Sequence, residues 1–138
     1  MIGLLIIAHG DLGKTLIQSA THVLGGAPAR VASIHVVGRA DPDELLREAK
    51  QQIGALDDGS GVLILTDMLG GTPSNVATRA LIPGRVEGVS GASLPMVVRA
   101  LTYRHALLAT VVAKATSGGQ EGIVHLIPAS TPHATSGN

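Results

Sequence analysis

Apolar positions along the chain follow two alternating rhythms. Short, nearly unbroken apolar runs occupy residues 2–8, 31–37, 62–65 and 86–89, the length and texture of buried strands. Between them, apolar residues recur every three to four positions, as on a helix with one buried face. Leu12, Leu16, Ile17, Ala20, Val23 and Leu24 form one such stripe, which Gly25-Gly26 ends. Leu45, Leu46, Ala49, Ile53 and Leu56 form a second. Its start is plain: Asp41 caps it, Pro42 takes the first helical position, and acids fill the first turn. Val76, Ala77, Ala80 and Leu81 mark a helix over about 73–81, and Met96, Val97, Ala100 and Leu101 mark another. A further helical stretch from about 105 to 115 is expected to end at Gly118-Gly119. Residues 123–127 read as a last short strand.

Strand and helix alternate four times, which predicts an α/β fold. Its core is a three-layer open sheet of four parallel strands, joined by right-handed crossovers and flanked by helices. The short fifth strand reads as an edge strand, or as one paired with another subunit. One domain accounts for residues 1–127, and the small, polar residues 128–138 are expected to form a flexible tail.

Composition narrows the function. Formal charge is zero, with 10 Lys+Arg against 10 Asp+Glu, which argues against a nucleic-acid partner, since that demands a basic face. One Tyr and no Phe or Trp leave little to stack a base or grip a large aromatic ligand. Cysteine is absent, which removes disulfides and thiolate metal sites and is compatible with a cytoplasmic home. Residues 1–8 lack the basic n-region and cleavage pattern of a secretion signal, and no run reaches transmembrane length, so no membrane insertion is expected. No histidine pair has zinc-motif spacing, and neither a P-loop nor G-x-G-x-x-G follows the first strand. The expectation is therefore no metal, no nucleotide and no other cofactor.

The chemistry collects in two loops. The first strand ends in Ala8-His9-Gly10, and the third in Asp67-Met68-Leu69-Gly70-Gly71-Thr72-Pro73-Ser74-Asn75. If the two strands are parallel neighbours, His9 and Asp67 lie on one rim, at the carboxyl edge where α/β sheets bind ligands. A carboxylate that fixes the tautomer of an imidazole frees its other nitrogen to act as a nucleophile. Gly70 and Gly71 permit a tight turn, and Thr72 reads as the cap of a helix whose N-terminus favours an anion. The amides of Gly70, Gly71 and Thr72 and the Thr72 hydroxyl are the candidate phosphate donors, and Gly10 leaves room for an approaching partner. Taken singly, His9 reads as a solvated loop histidine, Asp67 as a turn residue and Thr72 as a cap. Their arrangement at two strand ends argues for function. Ser93, before Leu94-Pro95-Met96, reads as a cap or a partner contact. His22 and His105 fall in helices, His35 and His125 in strands, and His133 in the tail. Lys14 and Arg79 read as solvated helix residues.

Three motifs in this order resemble the IIA component of the mannose-type branch of the bacterial phosphotransferase system (PTS). They are Ala8-His9-Gly10, Asp67-x-x-Gly70-Gly71-Thr72-Pro73-x-Asn75, and Gly91-x-x-Leu94-Pro95-Met96. The resemblance covers residues 1–127. It implies a fifth, antiparallel strand contributed across a homodimer interface. It also implies that His9 accepts a phosphoryl group from an HPr-like phosphocarrier protein and passes it to a IIB component, with Asp67 bonded to the ring and Thr72 near the phosphate. Ser93 stands where the family usually has Asn. No IIB domain follows in these residues, so the expectation is a stand-alone IIA with a separate acceptor. The alternative is a regulatory module whose phosphorylation state is read by a partner. The phosphotransfer subunit of dihydroxyacetone kinases is similar in fold but usually has a Met-Gly-Ser type second loop.

Overall fold

Nine elements follow one another in a computed structural model that describes residues 1–129. They are β1 (Gly3–His9), α1 (Leu12–Leu24), β2 (Val31–Val36), α2 (Pro42–Leu56), β3 (Val62–Thr66), α3 (Thr72–Ala80), β4 (Val86–Ser90), α4 (Leu94–Thr102) and α5 (Leu108–Glu121). The four strands form one parallel sheet in the order β2-β1-β3-β4. From β1 the chain crosses to β2 on one side and returns to β3 on the other. The order thus reverses between β1 and β3, the point where a crevice opens at the carboxyl edge of such sheets.

Alternation along the strands builds the two cores. Leu4, Ile6 and Ala8 of β1 and Leu63 and Leu65 of β3 pack with Val97, Val111 and Ala115 under α1, α4 and α5. Leu5 and Ile7, with Val62 and Ile64, pack with Ala49 and Val76 under α2 and α3. Because both faces are covered, β1 from Gly3 to Ala8 and β3 from Val62 to Leu65 carry no polar side chain, and polar residues enter only at their last positions, His9 and Thr66. Each fully buried Leu, Ile or Val contributes about 1.5–3 kcal/mol of transfer free energy.

The helix starts follow local chemistry. Asp41 accepts from the Asp43 amide at 3.0 Å and Pro42 opens α2. Ser93 accepts from the Met96 amide at 3.4 Å and caps α4. Gly25 closes α1 in the left-handed conformation (φ 81°).

Three readings differ from the structure. The last helix runs over Leu108–Glu121, through Gly118-Gly119 rather than ending there, and His105 lies in the turn before it. Those glycines are packing residues. A Cβ on Gly118 would stand 2.9 Å from Arg99 Cβ, and one on Gly119 would stand 2.8 Å from Met96 Cε. Their lack of a side chain lets α5 lie against α4, which outweighs their weak helix propensity. Residues 123–127 form no strand with any described residue, and Ile123, Val124, Leu126 and Ile127 are exposed. After α5 the segment makes no ladder with either edge strand of its own sheet, β2 or β4. The tail expected at 128–138 and its His133 fall almost wholly outside the described residues.

One buried charge closes the amino edge of the sheet. Arg104 is 6% exposed and donates to the carbonyls of Ile2, Ala29 and Arg30 at 2.6–3.0 Å. Its fork satisfies backbone that the starts of β1 and β2 leave open. The opposite, carboxyl edge is left free for the loops after β1 and β3.

Candidate functional site

The parallel pairing of β1 with β3 brings their last residues together. Ile7 pairs with Thr66, so His9 and Asp67 project just beyond adjacent strand ends. His9 Nδ1 lies 2.8 Å from Asp67 Oδ2, and the His9 amide donates to the same oxygen at 3.0 Å. The other oxygen, Oδ1, accepts from the Met68 amide at 3.0 Å. Asp67 is thus held at three points, with its side chain 12% exposed, while the His9 ring is 49% exposed. Burial alone would raise the Asp67 pKa. The bonds from the His9 amide and ring and from the Met68 amide outweigh it and hold the carboxyl below its usual range. An ionised carboxylate only accepts, so Nδ1 carries the proton toward Asp67. In the neutral ring the lone pair then sits on Nε2, the exposed nitrogen.

The loop after β3 closes over the ring. Gly70 adopts φ 92°, a left-handed turn, and Gly10 beside His9 adopts φ 56°. Gly71 serves a different purpose. Its backbone is ordinary, but a Cβ there would stand 3.0 Å from His9 Cε1 and 3.4 Å from Nε2. A side chain there would push the ring or the loop aside by a few tenths of an ångström, so glycine keeps the backbone this close to Nε2. Gly71 is also the residue preceding α3. Thr72 is the first helical residue, not the cap, and it makes no capping bond. Among the described residues the amides of Gly71 and Thr72 find no acceptor, so they stand at a helix N-terminus as free donors. The Gly70 amide, expected among the phosphate donors, donates instead to Ser74 Oγ at 2.9 Å.

Ser74 was not legible as a site residue. Its hydroxyl accepts from Gly70 and donates to the Gly71 carbonyl at 3.1 Å, so it braces the loop from within. Its place two residues after Thr72, on the first turn of a helix behind a Gly-Gly pair, is the one signal that could have found it. Ser93 is spent on α4, and the loop before it is tied to the end of β3 by the Gly91 and Ala92 amides, both on the Thr66 carbonyl. Arg79 pairs with Asp43 at 3.1 Å and Lys14 is exposed. His22 and His125 are exposed. His35 lies on β2 with its Nδ1 2.9 Å from Asp11 Oδ1.

Around His9 the rim is apolar. Leu12, Val37, Met68 and Leu69 are 40%, 62%, 58% and 81% exposed. Among the described residues no helix is long and apolar enough to cross a membrane.

This arrangement can accept a phosphoryl group on Nε2, with free amides already placed for its oxygens. A family model described as EIIA-man, PTS system fructose IIA component, matches residues 3–116. The mannose-specific EIIAB component of Escherichia coli K12 is 31% identical over 125 residues, 88% of this chain. The chain spans about two fifths of the length of the curated relatives it first matches, 38% of that protein. Among solved structures, the phosphotransferase system component EIIA of Streptococcus agalactiae is similar with a TM-score of 0.80 and 26% identity, covering 91% of this chain and 97% of its own. A mannose/sorbose specific IIA subunit from Enterococcus faecalis shares the fold with a TM-score of 0.82 at 22% identity, covering 94% and 98%. The chain therefore belongs to the mannose-type IIA family of the phosphotransferase system, a family of phosphoryl-carrying phosphotransferase components.

Proposed function

We propose that the chain carries the phosphoryl group on Nε2 of His9, taking it from an HPr-like phosphocarrier protein and yielding it to a IIB component. The observation that supports this most is the fixed ring. Nδ1 is engaged by a carboxylate held at three points, and Nε2 is left exposed beside the Gly71 backbone.

In the transfer, the N–P bond of the donor phosphohistidine breaks as the Nε2 lone pair of His9 forms a new N–P bond. The donor ring recovers its lone pair. The His9 ring gains positive character, and the Asp67 carboxylate against Nδ1–H stabilises it. The Gly71 and Thr72 amides meet the three equatorial oxygens, aided by the helix N-terminus. The reverse sequence delivers the group to the acceptor. No reactant besides the two histidines is needed. The apolar rim of Leu12, Val37, Met68 and Leu69 supplies a docking face for proteins rather than for a sugar, and the reaction takes place in the cytoplasm.

Homodimerisation belongs to the same reading. The exposed apolar residues at 123–127 would pair with an open sheet edge of a second copy. Paired Ile123→Asp and Leu126→Asp substitutions should then convert a dimer to a monomer in light scattering.

Intact-mass spectrometry after incubation with enzyme I, HPr and phosphoenolpyruvate tests the carrier role. One acid-labile phosphate is expected on the chain and none on His9→Ala. No gain with a competent HPr overturns the reading.

A further inference from the structure

Behind the phosphate loop, on the α3 face of the sheet, lies a second polar feature. A cleft of about 130 Å³ opens between α3 and the ends of β3 and β4. Thr66 and Ser90 are register partners on adjacent strands and line its floor, and Gly88, two residues before Ser90, widens it. Ser74 and Thr78 of α3 line the opposite wall, with Leu69 and Leu81 beside them.

Thr66 is the telling residue. It is 4% exposed, yet its hydroxyl makes no hydrogen bond among the described residues. No side-chain polar atom among the described residues is both sealed off and unpaired, so the Thr66 hydroxyl is reached from the cleft, where water or a ligand can meet it. The cleft is several times larger than one water requires, and smaller than a drug-sized pocket.

The hydroxyls also constrain what the occupant is. Ser74 spends its proton on the Gly71 carbonyl, and Thr78 spends its own on the Ser74 carbonyl at 2.7 Å. Both therefore offer only lone pairs to the cleft. Thr66 and Ser90 each offer a proton and lone pairs. Acceptor capacity exceeds donor capacity, which disfavours phosphate or carboxylate, since these only accept. No charged side chain lines the cleft, so an ammonium group would be buried without a counter-ion. The methyl groups of Leu69, Ala77 and Leu81 suit C–H surface.

We propose that this cleft is a binding site for a small, neutral polyhydroxy compound of three to four carbons, whose hydroxyls bridge Thr66 and Ser90 to Ser74 and Thr78. The site is separate from the nucleophile and stands whether or not His9 is phosphorylated. Ser74 joins the two, because the same hydroxyl that faces the cleft braces Gly70 and Gly71.

Glycerol is the probe, with propan-1-ol as the control of equal carbon skeleton. In amide-resolved NMR titrations of the full chain, glycerol should give saturable shifts concentrated at Thr66, Gly70, Thr78 and Ser90, and propan-1-ol should not. Thr66→Val keeps the β-branched shape and removes the hydroxyl. It should weaken the glycerol midpoint by about threefold to tenfold, the usual range for one neutral hydrogen bond. Ser90→Ala, on the exposed edge strand, should act in the same direction. Shifts that grow linearly without saturating mean that the cleft holds only solvent, and the proposal fails. It fails equally if propan-1-ol matches glycerol, or if both variants leave the glycerol midpoint unchanged.

Discussion

Two histidine–carboxylate pairs stand near the same edge of this sheet, and their bond lengths barely differ. His9 meets Asp67 at 2.8 Å and His35 meets Asp11 at 2.9 Å, each through Nδ1. Everything around the bond differs. Asp67 is 12% exposed and anchored by two backbone amides, whereas the Asp11 side chain is 83% exposed and makes no other hydrogen bond. His9 ends the central strand β1, at the point where the strand order reverses and a helix N-terminus comes close. His35 lies on the edge strand β2, and its register partner Ala8 belongs to the opposite face of the sheet from α3. Under the proposed transfer, what sets His9 apart is how firmly its holder is held and what faces its free nitrogen. The imidazole–carboxylate distance alone does not distinguish the two.

Removing each ring in turn gives the largest contrast. His9→Ala should lose all phosphoryl labelling from HPr, while His35→Ala should label at the rate of the unsubstituted chain. Intact-mass time courses read both. Persistent label in His9→Ala, or its loss in His35→Ala, would reverse the roles of the pairs.

Changing each carboxylate sharpens the comparison. Asp67→Asn keeps the shape but can present its amide N–H to Nδ1 and so favour the wrong tautomer. The labelling rate should fall at least about a hundredfold, as when such a carboxylate is neutralised in a hydrolytic triad. Asp11→Asn should change it less than about twofold. Acid gives a second readout. The Asp67 pKa is lower in the folded chain than in the unfolded one, so its stabilisation is complete above the unfolded value of about 3.9. It is lost as pH falls through the folded value. The stability gap between the unsubstituted chain and Asp67→Asn should shrink as pH falls below about 4 in urea titrations. A gap that widens over that acid range would mean that the Asp67 carboxyl is raised, not lowered, in the folded state.

Substituting Gly71 probes the space around Nε2. Gly71→Ala places a Cβ 3.0 Å from His9 Cε1, closer than carbon atoms normally sit, so the ring or the loop must shift by a few tenths of an ångström. Labelling should slow by about tenfold, since in-line transfer depends on placement at that scale. Melting should change little, because Gly71 has an ordinary φ of −91°. Gly10→Ala meets nothing within 4 Å and is the control for crowding, although its φ of 56° adds backbone strain.

The elements that local chemistry specifies were legible in the sequence. The starts of α2 and α4, the stop of α1 at Gly25, and the apolar runs of β1 and β3 all follow from caps, glycine and two-sided burial. So did the meeting of His9 with Asp67, because parallel neighbours align their carboxyl ends. What was missed depends on tertiary contact. Gly118 and Gly119 read as a stop signal until α4 is seen against them. Thr72 read as a cap because its type is common there, while the backbone placed the cap one residue earlier, at Gly71. Ser74 and Thr66 looked like ordinary helix and strand residues. Only their positions behind the loop reveal that one braces it and the other leaves a hydroxyl unpaired. The carbonyl partners of Arg104 lie 74 or more residues away in sequence, beyond any local pattern.

The smallest expected effect is on stability at the second pair, and it follows from a competition at the start of α1. Asp11 occupies the N-cap position but makes no capping bond, because its carboxylate reaches His35 instead. Removing the ring in His35→Ala costs an exposed pair, worth about 0.2–1 kcal/mol where such pairs are measured. It also frees Asp11 to turn back to the first amides of α1, and a capping bond is worth about 1 kcal/mol. The two changes oppose each other, so the net shift should stay within about 0.5 kcal/mol of zero in urea unfolding at neutral pH. Asp11→Ala loses the pair and the cap together and should be the more destabilising of the two by about 1 kcal/mol. If His35→Ala proves as costly as Asp11→Ala, the cap does not re-form. The pair would then be a structural tie of the loop after β1, closer in kind to the His9–Asp67 pair than its exposure suggests.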